Sequence, residues 1–321
     1  MKKSSIALLL VLIVSAAWGQ STHLLVSGAN VRIRSEGATS GKVVATLPLG
    51  TWGEILETGK TTQTLVGKSD YWYKIRDEAN NEGWIFGGLT MRCTAESKFQ
   101  TAAELVRQRF EQYGRPIEEA EQLHIFTEKL IKSARDREDL AIAELARLHS
   151  LQLILNTLSA MMIGSDTEHP AVKENKNNIY YHESAGQQYI SPSVFWQLAE
   201  KYKDTQYADT IAWEAAKQQL PGETEGDPTA VMAMLRMSEI RYLQTYPKGK
   251  FADKALETIS FSLEEMPASL GGYFSGEFAT GRDDFLKEVD NLVETVRNCN
   301  NKGLADKITG FAKKIKEAAL N

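Results

Sequence analysis

Asn30-Val31-Arg32-Ile33-Arg34, Gly50-Thr51, Trp72-Tyr73-Lys74-Ile75 and Gly83-Trp84-Ile85 follow one another at short intervals within residues 30–89. Val31 and Ile33 alternate with Arg32 and Arg34, and Tyr73 and Ile75 alternate with Trp72 and Lys74, the period-two pattern of half-buried strands. Residues 43–47 are apolar and β-branched, and glycines at 37, 41, 50, 53, 59, 67, 83, 87 and 88 punctuate the whole stretch. Short strands separated by glycine corners predict a small all-β barrel, because tight corners need positive φ or close backbone approach.

The order of these segments resembles the bacterial SH3-like (SH3b) domain. That family has an Asn-x-Arg strand, a small-residue loop, a Leu-x-x-Gly-Thr turn, a Trp-Tyr-Lys-Val strand and a Gly-Trp-Val hairpin end, in that order. The resemblance covers about a quarter of the chain and implies peptidoglycan peptides or proteins as ligands. Residues 57–69 are polar and longer than the usual hairpin of the family at this place.

Upstream, residues 1–19 begin with Lys2 and Lys3, continue through the apolar run 6–14 and end in Ala16, Ala17 and Gly19, the pattern of a secretory signal peptide cleaved after Gly19. The apolar run is too short to span a membrane, and no cysteine follows it to carry a lipid. The expected location is therefore exported, periplasmic or extracellular, with no stable membrane span after cleavage. Without Lys2 and Lys3 the balance is 35 basic to 42 acidic residues, a net charge of −7, which disfavours nucleic acid as a partner. The only cysteines are Cys93 and Cys299, and an oxidising compartment leaves open either one disulfide joining the two domains or two free thiols.

After Cys93 the glycines thin out and apolar residues recur at helical spacing: Ala103, Val106 and Phe110, then Ile117, Ala120, Leu123, Phe126 and Leu130. Asp136 or Asp139 starts a third predicted helix through Leu145, Leu148, Leu151, Leu155 and Leu158. Residues 151–163 are apolar but short and broken by polar side chains, which predicts a buried helix. Residues 165–192 read as polar and irregular, and residues 267–281 as a Gly-rich loop before two last helices over 282–299 and 301–321. An internal repeat matches Leu198-Ala199-Glu200-Lys201-Tyr202 with Tyr207-Ala208-Asp209 to Tyr242-Leu243-Gln244-Thr245-Tyr246 with Phe251-Ala252-Asp253. It resembles tetratricopeptide-like (TPR-like) helical hairpins, with the spacing lengthened by a loop over 220–228. The expected class is α+β multidomain: a signal peptide over 1–19, an SH3-like barrel over 20–93 and an all-α helical-hairpin domain over 94–321.

Chemistry is sparse. Neither cysteine has a histidine or a sequence setting that would activate it, and His23, His124, His149, His169 and His182 show no metal-ligand spacing, so no metal and no cofactor are expected. Gly59-Lys60-Thr61 resembles the end of a phosphate loop but enters a strand pattern, so it reads as a hairpin turn. Glu183-Ser184 matches the Glu-Ser of lytic transglycosylases, whose glutamate is a general acid in an apolar pocket, but the downstream element of that family is missing. Strand parity places Trp72 and Trp84 opposite the barrel core, which makes Trp72, Tyr71, Trp84 and Arg34 the candidates for a ligand groove. The expected function is non-enzymatic binding or scaffolding at the cell envelope, with a cell-wall peptide or envelope protein as partner. A cell-wall hydrolase using Glu183 is the alternative.

Overall fold

A computed structural model describes residues 22–320 apart from 113, 115, 162–167, 265, 267–269, 271 and 275; the predicted signal peptide lies outside the described residues. The chain divides into two compact units between Thr101 and Ala102.

The first unit is a seven-stranded antiparallel sheet of β1 (His23–Val26), β2 (Val31–Arg34), β3 (Val43–Leu47), β4 (Trp52–Leu65), β5 (Lys68–Asp77), β6 (Glu82–Phe86) and β7 (Thr90–Cys93). The strand order is β3-β2-β6-β5-β4-β1-β7. Backbone hydrogen bonds leave β3 and β7 as edges, so the expected closed barrel is instead a curled, open sheet. Curling is sufficient to bury the apolar face: Leu24, Val26, Val31, Ile33, Leu47, Tyr73, Ile75 and Ile85 from five strands share one cluster without the edges joining. Eight such side chains removed from water supply the main stabilisation of a unit this small.

Residues 57–69 are not a loop, because β4 and β5 continue as a long ribbon closed by Val66-Gly67. Both turn residues have positive φ, 48° and 74°, the conformation a two-residue hairpin needs to match strand twist. Gly59, Lys60 and Thr61 lie inside β4 at a register shift between Thr58 and Thr62, so the expected turn there is a bulge. A Cβ on Gly59 would sit 2.9 Å from the Trp72 carbonyl oxygen, which explains the glycine.

In the second unit the helices are α1 (Lys98–Phe110, starting in the first unit), α2 (Ile117–Lys132), α3 (Arg137–Ala160), α4 (Pro170–Glu174), α5 (Pro192–Lys201), α6 (Ala208–Ala216), α7 (Pro228–Met237), α8 (Glu239–Thr245), α9 (Ala252–Glu264), α10 (Arg282–Arg297) and α11 (Lys302–Leu320). Helix α2 packs on α3, α5 on α6, α8 on α9 and α10 on α11, with α11 also on α9. Asp136 starts α3 by accepting a hydrogen bond from Asp139 N at 2.8 Å, the capping geometry that satisfies an otherwise unpaired helix donor. Leu151, Leu153, Ile154, Leu155 and Leu158 of α3 are buried, and no helix among the described residues is long and apolar enough to cross a membrane.

The unit is not all-α. Residues 179–190, read as irregular, form the hairpin β8 (Ile179–His182) and β9 (Gln187–Ile190). The sequence signal is weak because polar side chains dominate it, and the ladder is completed from outside: Gln152 on α3 accepts from Ile190 N at 2.9 Å and donates to Gln188 O at 3.2 Å. A buried side-chain amide thus caps the outer edge of β9.

The internal repeat maps onto α5–α6 and α8–α9. Tyr202 and Tyr246 end the first helix of each pair, and buried Ala208 and Ala252 begin the second. The longer spacing comes from residues 217–227 together with α7, which Asp227 caps and which breaks from α8 at Ser238. The hairpins are tied by Asp209, which accepts from Tyr242 Oη at 2.5 Å and Lys250 N at 2.7 Å, while Trp213 stacks on Phe251 at 5.5 Å.

Candidate functional site

On β5, Tyr73 and Ile75 face the core, and Trp72, Lys74 and Arg76 face the opposite side; on β6, Ile85 opposes Trp84 and Phe86. Register pairs Trp72 with Phe86, Lys74 with Trp84 and Arg34 with Trp84, so the outer face is an aromatic strip edged by cations. Trp72, Trp84 and Arg34 therefore share one face. Tyr71 does not: its parity is that of Tyr73, and it stands at the rim of the core face, 37% exposed.

Trp72 is on the expected face but is not a groove wall. It is only 4% exposed, because the loop 35–42 folds over it. A Cβ on Gly37 would meet Trp72 Cβ at 3.2 Å and Trp84 Cε3 at 3.4 Å, so the loop backbone rests against both rings. Trp72 Nε1 donates to Gln63 Oε1 at 2.8 Å, Gln63 Nε2 donates to Gly37 O at 3.2 Å, and Arg34 Nη1 donates to Gly41 O at 2.7 Å. Arg34 and Trp72 thus hold the loop in place. Gln63 and Gly37 are the members of this network that sequence reasoning missed, since neither lies near Trp72 in the chain.

What the outer face leaves accessible is half-buried Trp84 together with exposed Arg32. Arg76 is paired with Glu82 at 2.7 Å and Lys74 lies 3.9 Å from the same carboxylate. Arg32 has no ion pair among the described residues. An aromatic edge beside a free guanidinium suits an extended peptide bearing a carboxylate.

The family described as bacterial SH3 domain matches residues 27–90. The curled sheet of the first unit carries a bacterial SH3 domain. No curated protein and no solved structure matches the chain. The SH3 match spans β2 to β6 and the loop 35–42, so the aromatic strip lies within it.

Both cysteines are free and buried, Cys93 at the end of β7 in the first unit and Cys299 just after α10 in the second. Burial pushes both thiols up in pKa, with Thr101 hydrogen bonding and Lys98 opposing it at Cys93. A neutral buried thiol is a poor nucleophile. Thiol titration of the native protein is expected to show little reaction, and denaturation without reductant to release two thiols. A protein that stays thiol-free until reduced has formed the bond.

Glu183 is exposed on the turn between β8 and β9, without the apolar walls that a general-acid glutamate requires. The histidines serve separate local roles. His182 Nδ1 lies 3.2 Å from Ser184 Oγ and its Nε2 lies 3.2 Å from the Gln219 carboxamide, which docks the hairpin on the end of α6. His124 Nδ1 lies 2.9 Å from Ser150 Oγ, and burial followed by Arg147 lowers its pKa. His169 contacts Glu121 at 3.1 Å. Among the described residues no group of three His, Cys, Asp or Glu side chains is placed to hold a metal.

A partly buried charged cluster of the helical unit surrounds His149. Its ring stacks on Phe110 at 5.3 Å and 9°, and Nε2 lies 3.3 Å from Glu214 Oε2, close enough for an ionic contact but not aligned as a hydrogen bond. Lys217 Nζ lies 2.7 Å from Glu214 Oε1. Burial alone would raise the Glu214 carboxyl, but His149 and Lys217 outweigh it and bring it down to about 2. Burial and the nearby Glu214, Glu138 and Glu104 carboxylates push the Tyr207 hydroxyl up to about 12.

Proposed function

We propose that this is an exported, non-enzymatic binding or scaffolding protein of the bacterial cell envelope. In this reading the SH3 domain takes an extended cell-wall peptide, and the TPR-like helical unit takes a protein partner. The observation that carries it is the SH3 match over residues 27–90 with Trp84 and Arg32 presented on the outer face. The acidic balance, the leader-like residues 1–19 and the repeat of helical hairpins support the same reading.

The test is retention of the full chain, without residues 1–19, on purified sacculi and on envelope extract. Trp84→Ala combined with Arg32→Ala is expected to lower sacculus retention about tenfold, equivalent to ~1.4 kcal/mol, in a protein whose β4 to β6 keep their hydrogen-exchange protection. Full retention in the double variant overturns the assignment of the outer face. Zymography of the same protein on cell wall is expected to show no clearing; a cleared zone lost in Glu183→Gln overturns the non-enzymatic reading.

A further inference from the structure

The helical unit contains a second feature, independent of the SH3 domain: a cleft of about 590 Å³ bounded by the C-terminal half of α3, the β8–β9 hairpin, the end of α6 and Phe110. This volume lies in the range of sites that enclose small ligands, about 300–1,000 Å³. Its walls differ from those of an ordinary apolar pocket. They are built largely of carboxamides, and hydrogen bonding determines which end of each amide faces the space.

Gln152 is wholly occupied. Its Nε2 donates to Asn156 Oδ1 at 2.9 Å and to Gln188 O, and its Oε1 accepts from Ile190 N. Asn156 Oδ1 also accepts from Gln187 Nε2 at 3.4 Å. With its oxygen used twice, Asn156 presents its Nδ2 protons, which have no partner among the described residues. By the same accounting Gln187 presents Oε1, and Gln218, whose Nε2 donates to Glu214 O at 2.9 Å, also presents Oε1. The wall therefore offers a donor and two acceptors, oriented by hydrogen bonds to buried Gln152, to Asn156 and to the Glu214 carbonyl.

Two aromatic rings complete it. Phe110 is backed by His149, and Tyr189 is backed by Tyr180 at 6.0 Å and 27°. Charge is balanced, since the Glu214 carboxylate on the wall is neutralised by Lys217 and contacted by His149. That disfavours phosphates and strongly charged peptides. An extended peptide would add as a strand through backbone pairing, but the outer edge of β9 is already capped by Gln152. A sugar ring, by contrast, has hydroxyls that both donate and accept, and an apolar C–H face that stacks on aromatic rings.

We propose that this cleft binds a neutral oligosaccharide, with Asn156, Gln187 and Gln218 reading its hydroxyl or amide groups and Phe110 and Tyr189 flanking the ring faces. The arrangement serves binding. Canonical glycosidic cleavage needs a protonated carboxyl group at the leaving oxygen, and Glu214, the one carboxyl group among the described lining residues, is ion-paired with Lys217 at 2.7 Å.

The experiment is calorimetric titration of the full chain, without residues 1–19, with chitotriose, cellotriose and maltotriose. At least one is expected to bind. Asn156→Ala and Gln187→Ala are each expected to weaken that ligand about tenfold, ~1.4 kcal/mol. Both variants should melt with the parent, and Trp84→Ala in the SH3 domain should leave the affinity unchanged. No heat from any of the three sugars up to about 10 mM overturns the proposal, since binding weaker than that is below ~3 kcal/mol. Affinity that survives in both amide variants, or is lost in Trp84→Ala, places the sugar elsewhere and also overturns it. Binding of a neutral hexapeptide in preference to all three sugars overturns the ligand class. Sacculus retention through the SH3 domain is a separate readout, so either reading can fail alone.

Discussion

Trp72→Ala is expected to destabilise the SH3 domain by about 3–5 kcal/mol, the cost of emptying a buried large aromatic site. Trp72 is 4% exposed, packs against Phe86 with ring centroids 5.8 Å apart, and supports Gly37 of the loop 35–42. Truncation removes the volume under the loop and also the Nε1 donor that orients Gln63, so the Gln63 bond to Gly37 O loses its anchor. Trp72→Phe keeps most of the volume and loses the hydrogen bond, which should cost about 1 kcal/mol beyond the change in packing. Hydrogen exchange followed by mass spectrometry reads this locally. The strands and the loop 35–42 should lose protection in Trp72→Ala, while helices α2 to α11 keep theirs. Unchanged protection of β4 to β6 would return Trp72 to the role of an exposed ligand contact.

Acidification is expected to unfold the helical unit through Glu214. Its folded-state carboxyl titrates at about 2, below the ordinary glutamate value of 4.5, because the neighbouring His149 and Lys217 outweigh the opposing effect of burial. A depressed folded-state pKa contributes stability that is complete above the unfolded value and is lost as pH falls from about 4.5 through about 2. The contribution is on the order of 3 kcal/mol. The far-UV helical signal, followed in urea at a series of pH values, should therefore show a midpoint that falls steeply across this window. Glu214→Gln should flatten the slope there while lowering stability at neutral pH, because it leaves buried His149 and exposed Lys217 without their carboxylate. A variant with the parental acid slope would show that other carboxylates govern the transition.

Strand parity was legible in β5 and β6, because a period of two is imposed by the pleat and follows from the covalent backbone. It placed Trp72 and Trp84 opposite Ile75 and Ile85 correctly. It said nothing of what lies above that outer face, and the loop 35–42 covers Trp72 through contacts between residues far apart in the chain. Tyr71 shows the same limit from the other side. Adjacent to Trp72 in sequence, it lies on the opposite face and belongs to a different surface.

The order of β segments, the SH3 match, the helical periodicity after Cys93 and the repeated hairpin ends were written in local patterns, because turn chemistry and amphipathic spacing act over a few residues. The β8–β9 hairpin, the ionised Glu214 and the amide-lined cleft were not. Each depends on a partner brought from a distance, as Gln152 of α3 completes the edge of β9 and Lys217 and His149 hold Glu214 ionised. Those pairings exist only after the helices have packed, and so the tertiary structure alone decided them.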